Sequence, residues 1–141
     1  MEYSAAPHYT LCLHDDCKLD LEELWNSDPE AAADIVTFLE EAKTNQQILD
    51  DLTRSRFIRY GKAPYQPYSA QHFVALRYPR YNIWRLKFLE LESLKKYRIL
   101  YAFHSGEHRY YVLAIVRRDK YDYELNNPIT KRIQSAYDDL V

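Results

Sequence analysis

The stretch that decides the fold runs from residue 83 to residue 121 and contains three segments with alternating side chains: IWRLKF (83–88), YRILYAFH (97–104) and YYVLAIV (110–116). Successive side chains on a β-strand point to opposite faces. Each segment is therefore predicted to be a strand. A tight hairpin at Gly106 is expected to join the second strand to the third.

The alternation separates apolar from basic side chains on the first two strands. The residues expected to face a core are Trp84, Leu86, Phe88, Tyr97, Ile99, Tyr101 and Phe103. Arg85, Lys87, Arg98 and His104 would then share the opposite face. Histidine titrates near neutrality, but His104 stands next to the turn, and we favour a turn histidine over a site residue. A sheet face that carries several cations is suited to binding a phosphate chain.

The third strand extends this cationic face. If Tyr111, Leu113 and Ile115 face the core, alternation places Arg118 rather than Arg117 on the side of Arg98. Small side chains on the same face would leave room for a substrate, and these are Ala102 and Ala114.

Composition limits the class of protein. A chain of 141 residues with 47% hydrophobic and 15% aromatic residues predicts one folded domain, residues 1–141. No apolar run approaches the roughly 20 residues of a membrane span, and the first residues lack a signal-peptide pattern. Two cysteines and two glycines make neither a disulfide framework, nor a zinc site, nor a Gly-rich phosphate loop. We therefore expect a cytoplasmic protein that contacts no membrane and needs no metal or other cofactor.

Charge is divided along the chain. Residues 1–52 carry thirteen Asp/Glu and two Lys, a balance of −11, whereas residues 53–141 carry seventeen Lys/Arg and eight Asp/Glu, a balance of +9. This asymmetry predicts a polyanionic partner for the basic part. The acidic part is equally consistent with solvated helix faces packed beside the basic sheet.

The remaining elements complete an α+β pattern. A short strand is expected at 9–13 and a helix at 19–25. A second helix begins at Pro29, capped by Ser27 or Asp28, with Glu30 placed as in a capping box. Further helical turns are expected at 48–52 and an amphipathic closing helix at 129–140. These features predict helices gathered on one side of a mainly antiparallel sheet, with a short C-terminal helix.

Residues 53–81 have a different composition. They interleave basic residues, tyrosines and prolines: Arg54, Arg56, Arg59, Tyr60, Lys62, Pro64, Tyr65, Pro67, Tyr68, Arg77, Tyr78, Pro79, Arg80 and Tyr81. One interpretation is RNA binding, since arginines contact phosphates and tyrosines stack on unpaired bases. The other is a long connection whose tyrosines cover the edge of the sheet.

The strand sequences WRLKF (84–88), YRILY (97–101) and LAIVRRDKY (113–121) resemble the sheet of RelE/ParE-type toxins of type II toxin–antitoxin modules. The helical pair before them and the helix after them fit the same order. Relative to that family, residues 53–81 look like an insertion. RelE-like members are metal-independent mRNA endonucleases that act in the ribosomal A site and thereby inhibit translation and arrest growth.

The resemblance implies a set of site residues. Arg98 and Arg118 would clamp the scissile phosphate, because a planar guanidinium suits bidentate contact. Lys87 would serve as the base if its cationic neighbours favour its neutral form, and otherwise as a further charge. Tyr121 or Tyr123 would supply stacking or a proton, and the spacing does not choose between them. Further RNA contacts are assigned to the nearby residues Arg85, Arg117, Lys120, Tyr123 and His104.

The resemblance also implies partners. A toxin of this kind binds mRNA and the ribosome, and it forms a hetero-oligomer with a separately encoded antitoxin, whose acidic residues would cover the basic face. Two other classes stay open. A ParE-like member would inhibit DNA gyrase, which does not require the basic set on the sheet, and a non-catalytic module would bind RNA or another partner without cleaving RNA.

Overall fold

A computed structural model of the protein describes residues 8–53, 68–76 and 81–140. These residues form five strands and four helices. In chain order they are β1 (Thr10–Leu13), α1 (Asp15–Ser27), α2 (Pro29–Lys43), α3 (Gln46–Asp51), β2 (Tyr68–His72), β3 (Ile83–Phe88), β4 (Tyr97–His104), β5 (Arg109–Arg117) and α4 (Pro128–Leu140). No helix among them is long and apolar enough to cross a membrane.

The strands form one open, mixed sheet in the order β1-β5-β4-β3-β2. Neighbouring strands from β2 to β5 are antiparallel, and β1 lies parallel to β5, with Thr10 opposite Arg109. The α+β class and the strands predicted from alternation are confirmed. The antiparallel hairpin between β4 and β5 turns through residues 105–108, which include Gly106.

Helices α1, α2 and α3 pack on one face of the sheet. The core beneath them contains the apolar side chains expected from the alternation of β3 and β4: Trp84, Leu86, Phe88, Tyr97, Ile99 and Tyr101, with Phe103 packed against its edge. Leu24 of α1, Ile35 of α2 and Leu49 of α3 complete this core. The sequence therefore identified the side of the sheet that the first three helices cover.

Helix α4 packs on the opposite face, so the prediction that all helices lie on one side was wrong. Its Ile133 and Ala136 form a second core with Ala102, Ala114 and Leu100. The two alanines do not leave room for a substrate, because α4 occupies the space above them. The face expected to be cationic is consequently apolar under α4 and polar only towards one end.

The helix starts follow local hydrogen bonding. Helix α1 begins four residues before the expected position because His14 caps it, its Nδ1 accepting from the Asp16 N–H at 3.1 Å. Asp28 caps α2 by accepting from the Ala31 N–H at 3.2 Å. Ser27 is the last residue of α1 and its hydroxyl donates to the Glu23 carbonyl, so the capping box of Ser27 and Glu30 does not form.

The region expected to be an insertion contributes a strand. Residues 68–72 form β2, which pairs with β3 at an edge of the sheet. Tyr68 is buried and its hydroxyl donates to Asp51, while the ring of Tyr81 packs against Tyr137. These two tyrosines therefore have structural roles. The remaining arginines, lysine, tyrosines and prolines predicted to bind RNA between 54 and 80 lie outside the described residues.

Candidate functional site

Basic side chains gather at the end of the second sheet face that α4 leaves uncovered. Lys87 of β3 stands directly opposite Arg98 of β4, and Arg85 is two residues before Lys87 on the same face. Arg118 follows the end of β5 and is close enough to Arg98 to lower its pKa, as Arg85 does. We call Arg85, Lys87, Arg98 and Arg118 the cationic cluster. The sequence predicted this set, and the structure brings its members together.

Arg98 is the most constrained member of the cationic cluster. Its residue is only 4% exposed, and one guanidinium nitrogen, Nη1, donates to the carbonyls of Lys95 and Tyr97 at 2.9 and 2.8 Å. Burial is the main cause that lowers its pKa, and the charges of Arg85 and Arg118 add to it. Two backbone contacts on one nitrogen hold the guanidinium in a fixed orientation, which preorganises its other donors.

The cluster has an electrostatic cost. Like charges directly opposite each other on neighbouring strands are destabilising, as Lys87 and Arg98 are here. The ion pairs formed between described residues involve none of the four cluster cations. Arg85 instead donates a short hydrogen bond to the side-chain carbonyl of Gln71 on β2. A group of cations without an ion-pairing carboxylate in the described ranges is suited to binding an anion.

A β-bulge interrupts β5 before Arg117 and Arg118. Leu100 of β4 pairs with Ala114, but the next residue, Tyr101, pairs with Val112, so Leu113 is an extra residue on β5. Before the bulge, Tyr111 and Leu113 face α4, contrary to the expected alternation. After it, Ala114 and Val116 face α4 as expected, and Arg118 lies near Arg98.

Arg117 lies on the other side of the sheet. Its guanidinium binds both carboxylate oxygens of Asp119, at 3.0 and 2.9 Å, and it lines a groove beside α1 together with the exposed Lys120. Asp20, Glu23 and Asp28 line the same groove. Arg117 and Lys120 were predicted to bind RNA, but the structure does not bring them to the cationic cluster.

The structure distinguishes the two candidate tyrosines. Tyr121 belongs to the second core, its hydroxyl is hydrogen-bonded to Thr130, and burial raises its pKa to about 12. Tyr121 is therefore a core residue, and its burial does not support the predicted catalytic role. Tyr123 faces the cationic cluster: burial raises its pKa, while the charges of Arg85 and Arg98 act in the opposite direction.

The backbone of Tyr123 is unusual. Its φ of 60° lies in the left-handed region, which costs a non-glycine residue of order 1–2 kcal/mol. The ring packs against Tyr121 and Phe73, with centroids 4.5 and 5.2 Å apart. This packing places the buried Tyr123 hydroxyl near Arg85, and that oxygen has no hydrogen bond of normal geometry to another described residue.

His104 is remote from the cluster. It ends β4 at the hairpin, six residues or about 20 Å along the strand from Arg98. Its Nδ1 accepts from the Glu107 N–H at 3.2 Å, as expected of a turn histidine. The predicted RNA contact of His104 is therefore not supported by its position.

Side chains that the sequence did not single out complete the site. Gln71, His72, Phe73 and Val74 run from β2 towards the cluster, and the last three line a cavity next to Arg85. The alternation of side chains from Ser69 to Phe73 could have predicted this strand, but the prolines and arginines around it resemble an irregular connection. In the described ranges, no group of three His, Cys, Asp or Glu side chains could hold a metal ion.

Comparisons with protein-family models, curated proteins and solved structures find no match for this chain.

Proposed function

We propose that this protein is the toxin of a type II toxin–antitoxin module and a metal-independent endoribonuclease that cuts mRNA on the ribosome. The observation that carries the proposal is the cationic cluster, which has no ion-pairing carboxylate among the described residues and lies beside Tyr123. Ribosome dependence and the antitoxin come from the resemblance to RelE/ParE-type toxins.

The reaction uses a nucleophile that the RNA supplies. The ribose 2′-oxygen attacks the adjacent phosphorus and loses its proton, the bond from phosphorus to the 5′-oxygen breaks, and that oxygen gains a proton. The products are a 2′,3′-cyclic phosphate and a 5′-hydroxyl. The protein must therefore supply a base, an acid and cations that stabilise the negative phosphorane.

Each role has a candidate in the site. Arg98 and Arg118 would contact the phosphate oxygens, with Arg98 preorganised by its two backbone contacts. Lys87, directly opposite Arg98, would accept the proton of the 2′-hydroxyl if its amine is neutral, and would otherwise be a further cation for the phosphorane. Tyr123 would donate its phenol proton to the leaving 5′-oxygen; burial raises the pKa of this phenol, and the charges of Arg85 and Arg98 act in the opposite direction.

The test is primer extension on ribosome-bound mRNA with purified wild type, Lys87→Ala and Arg98→Ala, each first shown to be folded by thermal unfolding. We expect ribosome-dependent cuts by the wild type alone, with 2′,3′-cyclic phosphate and 5′-hydroxyl ends. A 5′-phosphate product would contradict attack by the 2′-hydroxyl. Equal cutting by all three proteins would place the reaction outside this cluster.

RNA binding without cleavage is the second candidate function. The contacts of Arg98 Nη1 with two backbone carbonyls favour it, because they give this arginine a structural role that needs no reaction. Salt-dependent RNA binding with intact RNA would support this candidate. If neither cleavage nor RNA binding is observed, gyrase inhibition is the remaining class, and a supercoiling assay tests it.

The antitoxin is proposed to neutralise the protein by covering the cationic cluster with acidic residues. Lys87 provides the probe, since its amine reacts with acylating reagents when solvent reaches it. We expect its labelling to fall when the cognate antitoxin is bound, while labelling of the exposed Lys18 on α1 stays constant. Unchanged labelling of Lys87 would place neutralisation elsewhere.

A further inference from the structure

A cavity of about 310 Å³ opens beside the cationic cluster. Its lining residues are His72, Phe73, Val74, Ala75, Arg85 and Tyr123. Arg85 belongs to both the cavity and the cluster, so a ligand in the cavity would lie next to any phosphate bound by the cluster. The volume is at the lower end of the ~300–1,000 Å³ of small-molecule pockets, which suits a single heterocycle.

We propose that this cavity binds one unstacked base of the RNA whose phosphate lies on the cationic cluster. The inference rests on the proposed function only in taking RNA as the ligand of the cluster. It gives residues 72–75, which comprise the last residue of strand β2 and the three residues after it, the role of a base-binding wall.

The chemistry of the walls favours a base. Sequence-tolerant recognition of single-stranded RNA uses aromatic faces for stacking and a few polar groups for the base edge. Phe73 and Tyr123 supply rings inclined at 57° to each other, and Arg85 supplies hydrogen-bond donors. The buried Tyr123 hydroxyl, which lies near Arg85, adds a polar atom to the cavity.

The rim of the cavity is apolar and exposed. Val74 is 70% exposed, the highest value of the described large hydrophobic residues that face solvent. A base entering the cavity would cover this side chain. Two other lining residues are held by ring packing: His72 lies against Trp84 with centroids 5.0 Å apart, and Tyr123 lies against Tyr121 with centroids 4.5 Å apart.

The test measures binding of a short RNA that cannot be cut because every ribose carries a 2′-O-methyl group. A fluorescently labelled series, each member lacking one base but keeping its phosphate, is titrated with the protein. We expect weaker binding by about 5- to 150-fold at one position, the range of base stacking on aromatic side chains. The Val74→Ser variant should reduce this difference, and the equally polar change Leu91→Ser, at an exposed residue outside the cavity, should not.

The outcomes separate this inference from the proposed function. Salt-dependent binding with no effect of any missing base would overturn the base pocket and leave the cluster as a phosphate site. If one missing base weakens binding and Val74→Ser abolishes this effect, the base-binding cavity is supported, even if ribosome-bound mRNA is not cut. No binding of any RNA at low salt would overturn both.

Discussion

Asp20 of α1 and Arg132 of α4 meet at the edge of β5 and join the helices of the two sheet faces. Arg132 Nη2 lies 2.7 Å from Asp20 Oδ2, and Arg132 Nη1 lies 3.0 Å from Oδ1. The same carboxylate accepts from the Ile115 N–H at 3.0 Å, and the guanidinium donates to the Leu113 carbonyl at 3.2 Å. The last residue of β5 that pairs with β1 is Val112. Beyond it, at the bulge, Asp20 and Arg132 provide hydrogen-bond partners for the backbone of β5.

Removing Arg132 should destabilise the protein. Arg132→Ala leaves the largely buried Asp20 carboxylate without its cation, and loss of charge-assisted hydrogen bonds costs about 1.5–3 kcal/mol. Urea denaturation measures the change in the free energy of unfolding. Lys131→Ala, at the adjacent exposed position of α4, is the control and should change stability by less than ~0.5 kcal/mol. Similar losses in both variants would argue against a role for the pair.

Arg118 and Arg117 form a matched pair for testing the site. They are adjacent in sequence but lie on opposite faces of the sheet, and neither is buried. We expect Arg118→Ala to reduce RNA cleavage by about 10-fold or more, as loss of a phosphate contact in the transition state does. Arg117→Ala should retain most activity. A larger loss of cleavage in Arg117→Ala than in Arg118→Ala would mean that the groove beside α1 binds the RNA.

Tyr121→Phe and Tyr123→Phe should separate a structural hydroxyl from a functional one. Tyr121→Phe removes the hydrogen bond to Thr130 and should cost about 1 kcal/mol of stability with cleavage unchanged. Tyr123→Phe should keep the stability and lower the cleavage rate, because the buried hydroxyl near Arg85 is our candidate acid. Thermal unfolding and single-turnover cleavage measure the two effects. Slow cleavage by Tyr121→Phe together with a normal cleavage rate for Tyr123→Phe would make Tyr121 the functional residue instead.

Stability should fall in acid partly because of Asp28. The hydrogen bond from the Tyr97 hydroxyl, 2.8 Å from Asp28 Oδ2, is the main cause that lowers the pKa of this carboxyl. A carboxyl with a lowered folded pKa stabilises the protein above its unfolded value, near 4, and this contribution is lost as pH falls through the folded value.

The Tyr97→Phe variant tests this pH dependence. It removes the main cause of the lowered pKa, so the difference in unfolding free energy between wild type and variant should shrink between pH 5 and pH 2. Urea denaturation at a series of pH values measures it. A difference that stays constant over this interval would show that the two residues are not coupled by charge.

The strands of the sheet could be predicted because their side chains alternate, and this gave the correct inner face for β3 and β4. The same reasoning failed on β5, where Leu113 is an extra residue that no pattern in the sequence reveals. Alternation still selected Arg118 correctly, since the bulge lies before the residues that determine its face. The error affected the part of β5 before Ala114, where Tyr110 and Val112 rather than Tyr111 and Leu113 face the first core.

The rest of the site depended on tertiary packing. Spacing alone did not distinguish Tyr121 from Tyr123, because the choice follows from the left-handed backbone at Tyr123 and the hydrogen bond of Tyr121 to Thr130. The cavity wall from β2 was hidden because prolines and arginines around it resemble an irregular connection. The amphipathic pattern of α4 predicted a helix but not which sheet face it covers.

The parallel pairing of β1 with β5 also affects when the fold can form during synthesis. Thr10 leaves the ribosome about a hundred residues before its neighbour in the sheet, Arg109. Until then, β1 and the helices after it lack the strand that they pack on, and contacts so distant in sequence form slowly. Arg118 and Tyr123 emerge later still. A nascent chain would therefore carry an incomplete site until Tyr123 has left the ribosome, which would delay any activity during synthesis.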